Sequence, residues 1–218
     1  MKKNKIKLMI LTTLMVGTLA IAGISAFFTD RGEISNTFTI GNVKQRLLEP
    51  TFNSSDAENI MPNAVISKDP QVKNTGENSQ YVLMTVTVPH AVVKTSNENG
   101  TVNPAQDTAL FSYTVNQGWV LVGDKTESAN ADGSVNHTFT YMYGTDADTL
   151  TVLGSNETTP ALFDNVTFIN YALEGQGTTN SLTQADMTIK SYGIQTNAMD
   201  DKTAQEIIDM VTNSANTY

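Results

Sequence analysis

Tyr81-Val82-Leu83-Met84-Thr85-Val86-Thr87-Val88 decides the fold. Val82, Met84, Val86 and Val88 recur at every second position, with Thr85 and Thr87 between them. Successive side chains of a strand point to opposite faces, so this period of two predicts a half-buried strand with one apolar face. Pro89 follows and ends it, because proline has no N–H to give to a ladder.

The pattern recurs further along the chain. Val135-Asn136-His137-Thr138-Phe139-Thr140-Tyr141-Met142-Tyr143 alternates again, with Val135, Phe139, Tyr141 and Tyr143 on one face. Leu110–Val115, Trp119–Val122, Thr149–Leu153, Phe163–Ile169 and Met187–Ile194 are further candidate strands. Polar turn signals separate them: Asn74-Thr75-Gly76, Asn99-Gly100, Asn116-Gln117-Gly118, Asp132-Gly133 and Gly175-Gln176-Gly177. Asn116–Gly118 reads as a tight hairpin ending in a left-handed glycine, and Asn130–Ser134 as a second hairpin turn. Asn53–Asn59 reads as a loop. Only Thr203–Val211 has helical spacing, with Ile207, Ile208 and Val211 on one side, and Asn213–Tyr218 reads as a frayed end. Many short strands with few helical stretches predict an all-β chain, a jelly-roll-like β-sandwich with one or two short peripheral helices.

Ahead of this β region stands a different kind of sequence. Lys2, Lys3, Lys5 and Lys7 form a basic head, and Leu8 to Phe28 carries no charge. Gly23, Ser25 and Ala26 supply small residues near its end. A basic head, an apolar run and a small-residue exit describe an export signal. The expected cleavage follows Ala26, with Ser25 the second choice, so that Phe27 begins the mature chain. Residues 1–26 are then a signal peptide and 27–218 a single domain. Uncleaved, the same run is long enough to anchor the chain in a membrane, with the remainder outside.

The 218 residues carry a net charge of -9. Removing residues 1–26 takes away four Lys and no acid, which leaves nine basic and 22 acidic side chains and a net charge of -13. That balance argues against nucleic acid or anionic lipid as partners. The absence of Cys excludes thiol catalysis, iron–sulfur clusters and Cys-ligated zinc. An exported chain without disulfides relies on its apolar core.

Catalytic signals are poor. The two His, His90 and His137, are far apart in the sequence, and His-Glu-x-x-His and Gly-x-Ser-x-Gly are both absent. His137 sits by alternation on the aromatic face of its strand and reads as a half-buried imidazole against Phe139 or Tyr141. His90, after Pro89, reads as solvated. Asp124, Glu127 and Asp132, and again Asp146 and Asp148, lack calcium-loop spacing and read as solvated acids, with weak calcium binding the alternative. Asp200, Asp201, Glu206 and Asp209 read as a helix start favoured by the helix dipole. No catalytic residue, metal ligand or cofactor is expected.

Several segments resemble one family. Ala26-Phe27-Phe28-Thr29-Asp30, followed by Asn36-Thr37-Phe38-Thr39-Ile40-Gly41-Asn42-Val43, resembles the start of the TasA/camelysin family of Gram-positive bacteria. Pro62, then Ser67-Lys68-Asp69-Pro70-Gln71-Val72-Lys73-Asn74-Thr75-Gly76, then Tyr81-Val82, resembles that family's Pro-Gly-x-x-x-x-Lys-x-x-x-Val-x-Asn-x-Gly motif and the strand after it. Asn63 departs from it, because glycine is usual there. Thr158–Val166 and Tyr192–Thr196 resemble later segments of relatives, whereas Ala91–Gly154 matches thinly.

The resemblance implies a jelly-roll-like sandwich, a dedicated signal peptidase as a partner during export, and a secreted subunit of a biofilm-matrix fibre or surface layer. It also implies assembly by strand donation, in which residues 27–40 of one copy complete a sheet of the next. Phe28, Ile34, Phe38 and Ile40 are the apolar residues available for that, and the partner is then the chain itself. The alternative places the segment as the first strand of its own domain. Part of the family is labelled metalloendopeptidase, which makes a surface protease the second functional reading and a monomeric adhesion module the third.

Overall fold

The computed structural model describes residues 44–172, 185–197, 199 and 202–215. They form an all-β sandwich of twelve strands with one helix. The strands are β1 (Gln45–Leu48), β2 (Val65–Ser67), β3 (Gln71–Asn74), β4 (Gln80–Val88), β5 (His90–Val93) and β6 (Gln106–Ala109). They continue as β7 (Phe111–Ser112), β8 (Trp119–Ala129), β9 (Val135–Asp146), β10 (Thr149–Leu150), β11 (Asn165–Phe168) and β12 (Thr188–Gln195). The helix, α1, is Ala204–Ala215, and a short 3-10 turn, Ser54–Ala57, interrupts the loop after β1. Among the described residues no helix is long and apolar enough to cross a membrane.

The principal sheet runs β10-β9-β4-β12, with β8 also paired to β9, and all its pairings are antiparallel. The alternation of β4 has the expected consequence. Val82, Met84, Val86 and Val88 are buried in the main core, while Thr85 and Thr87 are half-buried on the opposite face. The register places Val86 opposite Phe139 on one side and opposite Ile189 on the other, so one apolar row crosses three strands. The facing side of the core comes from the sheet β2-β11-β7, which contributes Ile66, Val166, Phe168 and Phe111.

The outer face of the principal sheet changes character along its length. Leu83, Met142 and Ile194 pack beneath Ile207, Ile208 and Val211 of α1 in a second apolar cluster. Further along β4 and β9 threonines replace the apolar residues, and Thr87 Oγ1 and Thr138 Oγ1 share a hydrogen bond of 2.8 Å. The helix start is fixed by a reciprocal pair: Thr203 Oγ1 accepts from Glu206 N–H, and Glu206 Oε2 accepts from Thr203 N–H. That is a capping box. The helix runs on through Asn213 to Ala215, past the point where a frayed end was expected.

Asn116–Gly118 is corrected by the structure. Gly118 does take a left-handed conformation, with φ 90°. The strands on either side do not pair with each other, however: β7 joins β11, and β8 joins β9. The turn therefore carries the chain from one sheet to the other. Asn130–Ser134 is a hairpin turn as expected, between β8 and β9.

The segment from Pro62 to Gly76 is a structural clasp. Ala64 N–H donates to the Met61 carbonyl, and Asn63 has φ 62°. Proline followed by a residue of positive φ is the signature of a type II turn, where asparagine is the usual substitute for glycine. Lys68 Nζ lies 2.7 Å from Glu49 Oε1 and 4.6 Å from the centre of the Phe52 ring. Asp69 accepts from Thr51 N–H, and the fully buried Asn74 donates to the carbonyls of Asn78 and Leu153 while accepting from Gly76 N–H. The lysine, asparagine and glycine of the motif, with Asp69 at one of its open positions, thus hold the chain around β3.

Candidate functional site

Two places in the described residues collect chemistry that the fold alone does not require. The first is a groove of about 520 Å³ on the main core, lined by apolar and polar residues together. Ile66 of β2, Phe111 of β7, and Val166 and Phe168 of β11 form one wall. Phe52 and Ile60 from the loop after β1, with Ala185 and Met187 ahead of β12, add apolar surface, while Asn59, Lys68 and Asp186 add polar and charged groups. Strands β2 and β7 end the described three-stranded sheet on either side, and Val65 on β2 is 65 % exposed. The groove thus borders sheet edges whose main-chain groups can extend the ladder.

The second place is polar. His90, at the start of β5, and His137, on β9, are brought together with ring centres 4.1 Å apart and planes at 57°. Their separation in sequence hid this, because it arises only when Pro89 turns the chain out of β4 and β5 lies against β9. His90 Nδ1 is 2.9 Å from Asp107 Oδ1 on β6, and its side chain is 8 % exposed, against the expectation of a solvated ring. His137 is half-buried and meets Phe139 edge-on at 6.3 Å, as the alternation implied. Lys125 Nζ stands 2.7 Å from His137 Nε2 and 2.5 Å from Glu127 Oε1. An ammonium can only donate, so Nε2 accepts and the ring proton of His137 lies on Nδ1.

The electrostatics follow from this arrangement. Burial, then the neighbouring His90, then Lys125 hold the His137 imidazole below the usual histidine range, against the opposing pull of Glu127 and Asp107. The hydrogen bond from Lys125, aided by its charge, lowers the Glu127 carboxyl. The Ser134 hydroxyl, with the N–H groups of Ser134 and Val92, lowers Asp132. The main chain joins the same cluster. His90 N–H donates to Asn136 Oδ1, Val92 N–H to Asp132 Oδ2, and Val135 N–H to Asp107 Oδ2. The Ser134 hydroxyl meets the His90 main-chain carbonyl rather than its ring, so no hydrolytic triad is assembled there.

Among the described residues no group of three or more His, Asp or Glu side chains is arranged to hold a metal ion. Asp146 accepts from the N–H of Asp148, a local turn on the exposed β9–β10 connection. The cleavage residues Ser25, Ala26 and Phe27 lie outside the described residues, as do the donor-segment residues Phe28, Ile34, Phe38 and Ile40. Comparison with models of protein families, with curated proteins and with solved structures found no match to this chain.

Proposed function

We propose that this chain is a secreted structural subunit that assembles into an extracellular fibre by strand donation, residues 27–40 of one copy entering the groove of the next. The observation that carries the reading is the apolar wall of the groove, formed by the inward faces of β2, β7 and β11. In an extended segment Phe38 and Ile40 fall on one face while Thr37 and Thr39 fall on the other. Burying the two apolar side chains contributes roughly 1.5–3 kcal/mol each, before main-chain pairing is added. An export signal attached to the segment would keep it from pairing until cleavage, which confines assembly to the outside of the cell.

Electron microscopy of the mature chain beginning at Phe27 tests the reading. Filaments are expected from that form, and folded monomers after deletion of residues 27–35. The lack of native Cys permits a second test. Thr39→Cys in one chain and Val65→Cys in another, both on the outward face of the extended sheet, should give a mixed disulfide-linked dimer on oxidation of the assembled material. Filaments unchanged by the deletion, together with no mixed dimer, would send assembly to another surface.

A further inference from the structure

The β5–β6 hairpin meets the β8–β9 turn through polar contacts with histidine at their centre. His90 and Asp107 come from the hairpin. Lys125 and Glu127 come from β8, Asp132 from the turn, and His137 from β9. These are the charged and titratable groups that face the imidazole pair. Asp107 serves both sides of the contact, taking His90 Nδ1 on one oxygen and Val135 N–H on the other. Three main-chain N–H groups, those of His90, Val92 and Val135, donate across it.

We propose that this contact is a proton-operated latch, closed while His137 is uncharged and released when His137 takes up a proton. The neutral ring accepts from Lys125 at Nε2, and a proton placed there would point at an ammonium 2.7 Å away. Glu127 Oε1, 3.5 Å from the same nitrogen, can take over as its partner once Lys125 swings into water. That exchange leaves a second difficulty. His90, held on Asp107, lies 4.1 Å from the newly charged ring and covers it from water. A charged ring is better solvated in the open, and uncovering it means moving the end of the short β5–β6 hairpin that carries His90. Among the described residues β5 and β6 pair with each other, and Ala91 and Val93 of β5 lie in the main core, so release is a local unfolding that exposes them while the principal sheet stays paired.

Hydrogen exchange of the whole described domain, with the two imidazoles followed by NMR, tests the latch. Protection of the N–H groups of His90, Val92 and Val135, corrected for intrinsic rate, should fall by up to roughly tenfold per pH unit once His137 begins to protonate. Protection of Val82 and Leu83 in β4 should hold over the same range. His137→Gln should keep the three N–H groups protected across that range. Lys125→Met, which removes the opposing ammonium, should move the midpoint to higher pH and serves as the second readout if the glutamine variant does not fold. Unchanged protection in the native chain while His137 titrates would mean that only Lys125 moves, and would overturn the proposal. So would the same pH-dependent loss in His137→Gln, or a midpoint unmoved in Lys125→Met.

Discussion

The hydroxyls of Tyr113 and Tyr141 stand 3.0 Å apart inside the sandwich, one just past β7 and the other on β9, so a single hydrogen bond ties the two sheets. Burial raises both phenols above the usual tyrosine value; the bond to Tyr141 adds to the effect on Tyr113, whereas the bond to Tyr113 opposes it on Tyr141. Replacing either by Phe strands the other hydroxyl, at a cost of about 1–3 kcal/mol in thermal or denaturant unfolding. The double variant should cost less than the sum of the two singles, because the stranded group is gone.

The same pair sets an alkaline limit. A phenol whose folded value is raised contributes stability that is complete below its unfolded value, about 10, and is lost as pH rises beyond it. Ultraviolet titration should therefore show phenols that ionise only together with loss of structure, and Tyr113→Phe should retain one fewer of them. Titration of all seven tyrosines as one class near pH 10, with the fold intact, would contradict the burial of this pair.

Gln80 begins β4 with a fully buried side chain, and neither its Oε1 nor its Nε2 has a hydrogen-bond partner among the described residues. Its main chain is satisfied by Leu153 in both directions, so the side-chain amide contributes only its desolvation. Methionine has similar volume and no amide. Gln80→Met is expected to raise stability by about 1 kcal/mol, read as a higher melting temperature. A lower melting temperature would show that the amide is partnered in solution, for instance by a trapped water.

How much of this was legible in the sequence depends on how local each cause is. The faces of β4 and β9 follow from side-chain alternation, and Val82 to Val88 and Phe139 to Tyr143 fall where that period puts them. The helix could be read from Ile207, Ile208 and Val211, but its extension to Ala215 has no apolar marker. Gly118 was legible as a conformation but not as a topology, because a left-handed turn serves a hairpin and a crossover equally well. The His90–His137 pair and the groove were not legible at all. Both depend on which strand lies beside which, and that is decided by packing across sheets rather than by neighbours in sequence.

Asn63 offers a test of why glycine and asparagine exchange at one position of the resembling motif. Its φ of 62° strains most side chains and suits these two. Asn63→Gly should change stability by less than about 0.5 kcal/mol, whereas Asn63→Val, branched at Cβ, should cost roughly 1–3 kcal/mol. Equal melting temperatures for Asn63→Val and the native chain would mean that the Met61–Ala64 turn relaxes to another type.

Strand β8 poses the opposite problem to the groove, because it is an edge that should not pair. It is 11 residues long and joined on one side to β9, and Leu121 is 49 % exposed. A long flat edge of this kind is an invitation to edge-to-edge aggregation. Here the ladder slips between Val122 and Thr126, which oppose Thr140 and Thr138, so β8 carries two more residues than its partner over that interval. Gly123 lies within the slip at φ 62°, and Asp124, Lys125 and Glu127 place exposed charge beside it. A bulge bends and twists the strand away from the flat geometry a second copy would need. Deleting Gly123 and Asp124 together would restore an even register from Trp119 to Ala129. The variant, also lacking residues 27–35 so that strand donation is absent, is expected to associate through β8 and elute from a sizing column as dimers or larger species. The same truncated chain with the bulge intact should remain monomeric. If both elute as monomers, the charges at Lys125 and Glu127 guard the edge without the bulge, and Lys125→Thr with Glu127→Thr in the bulge-deleted chain should then release it.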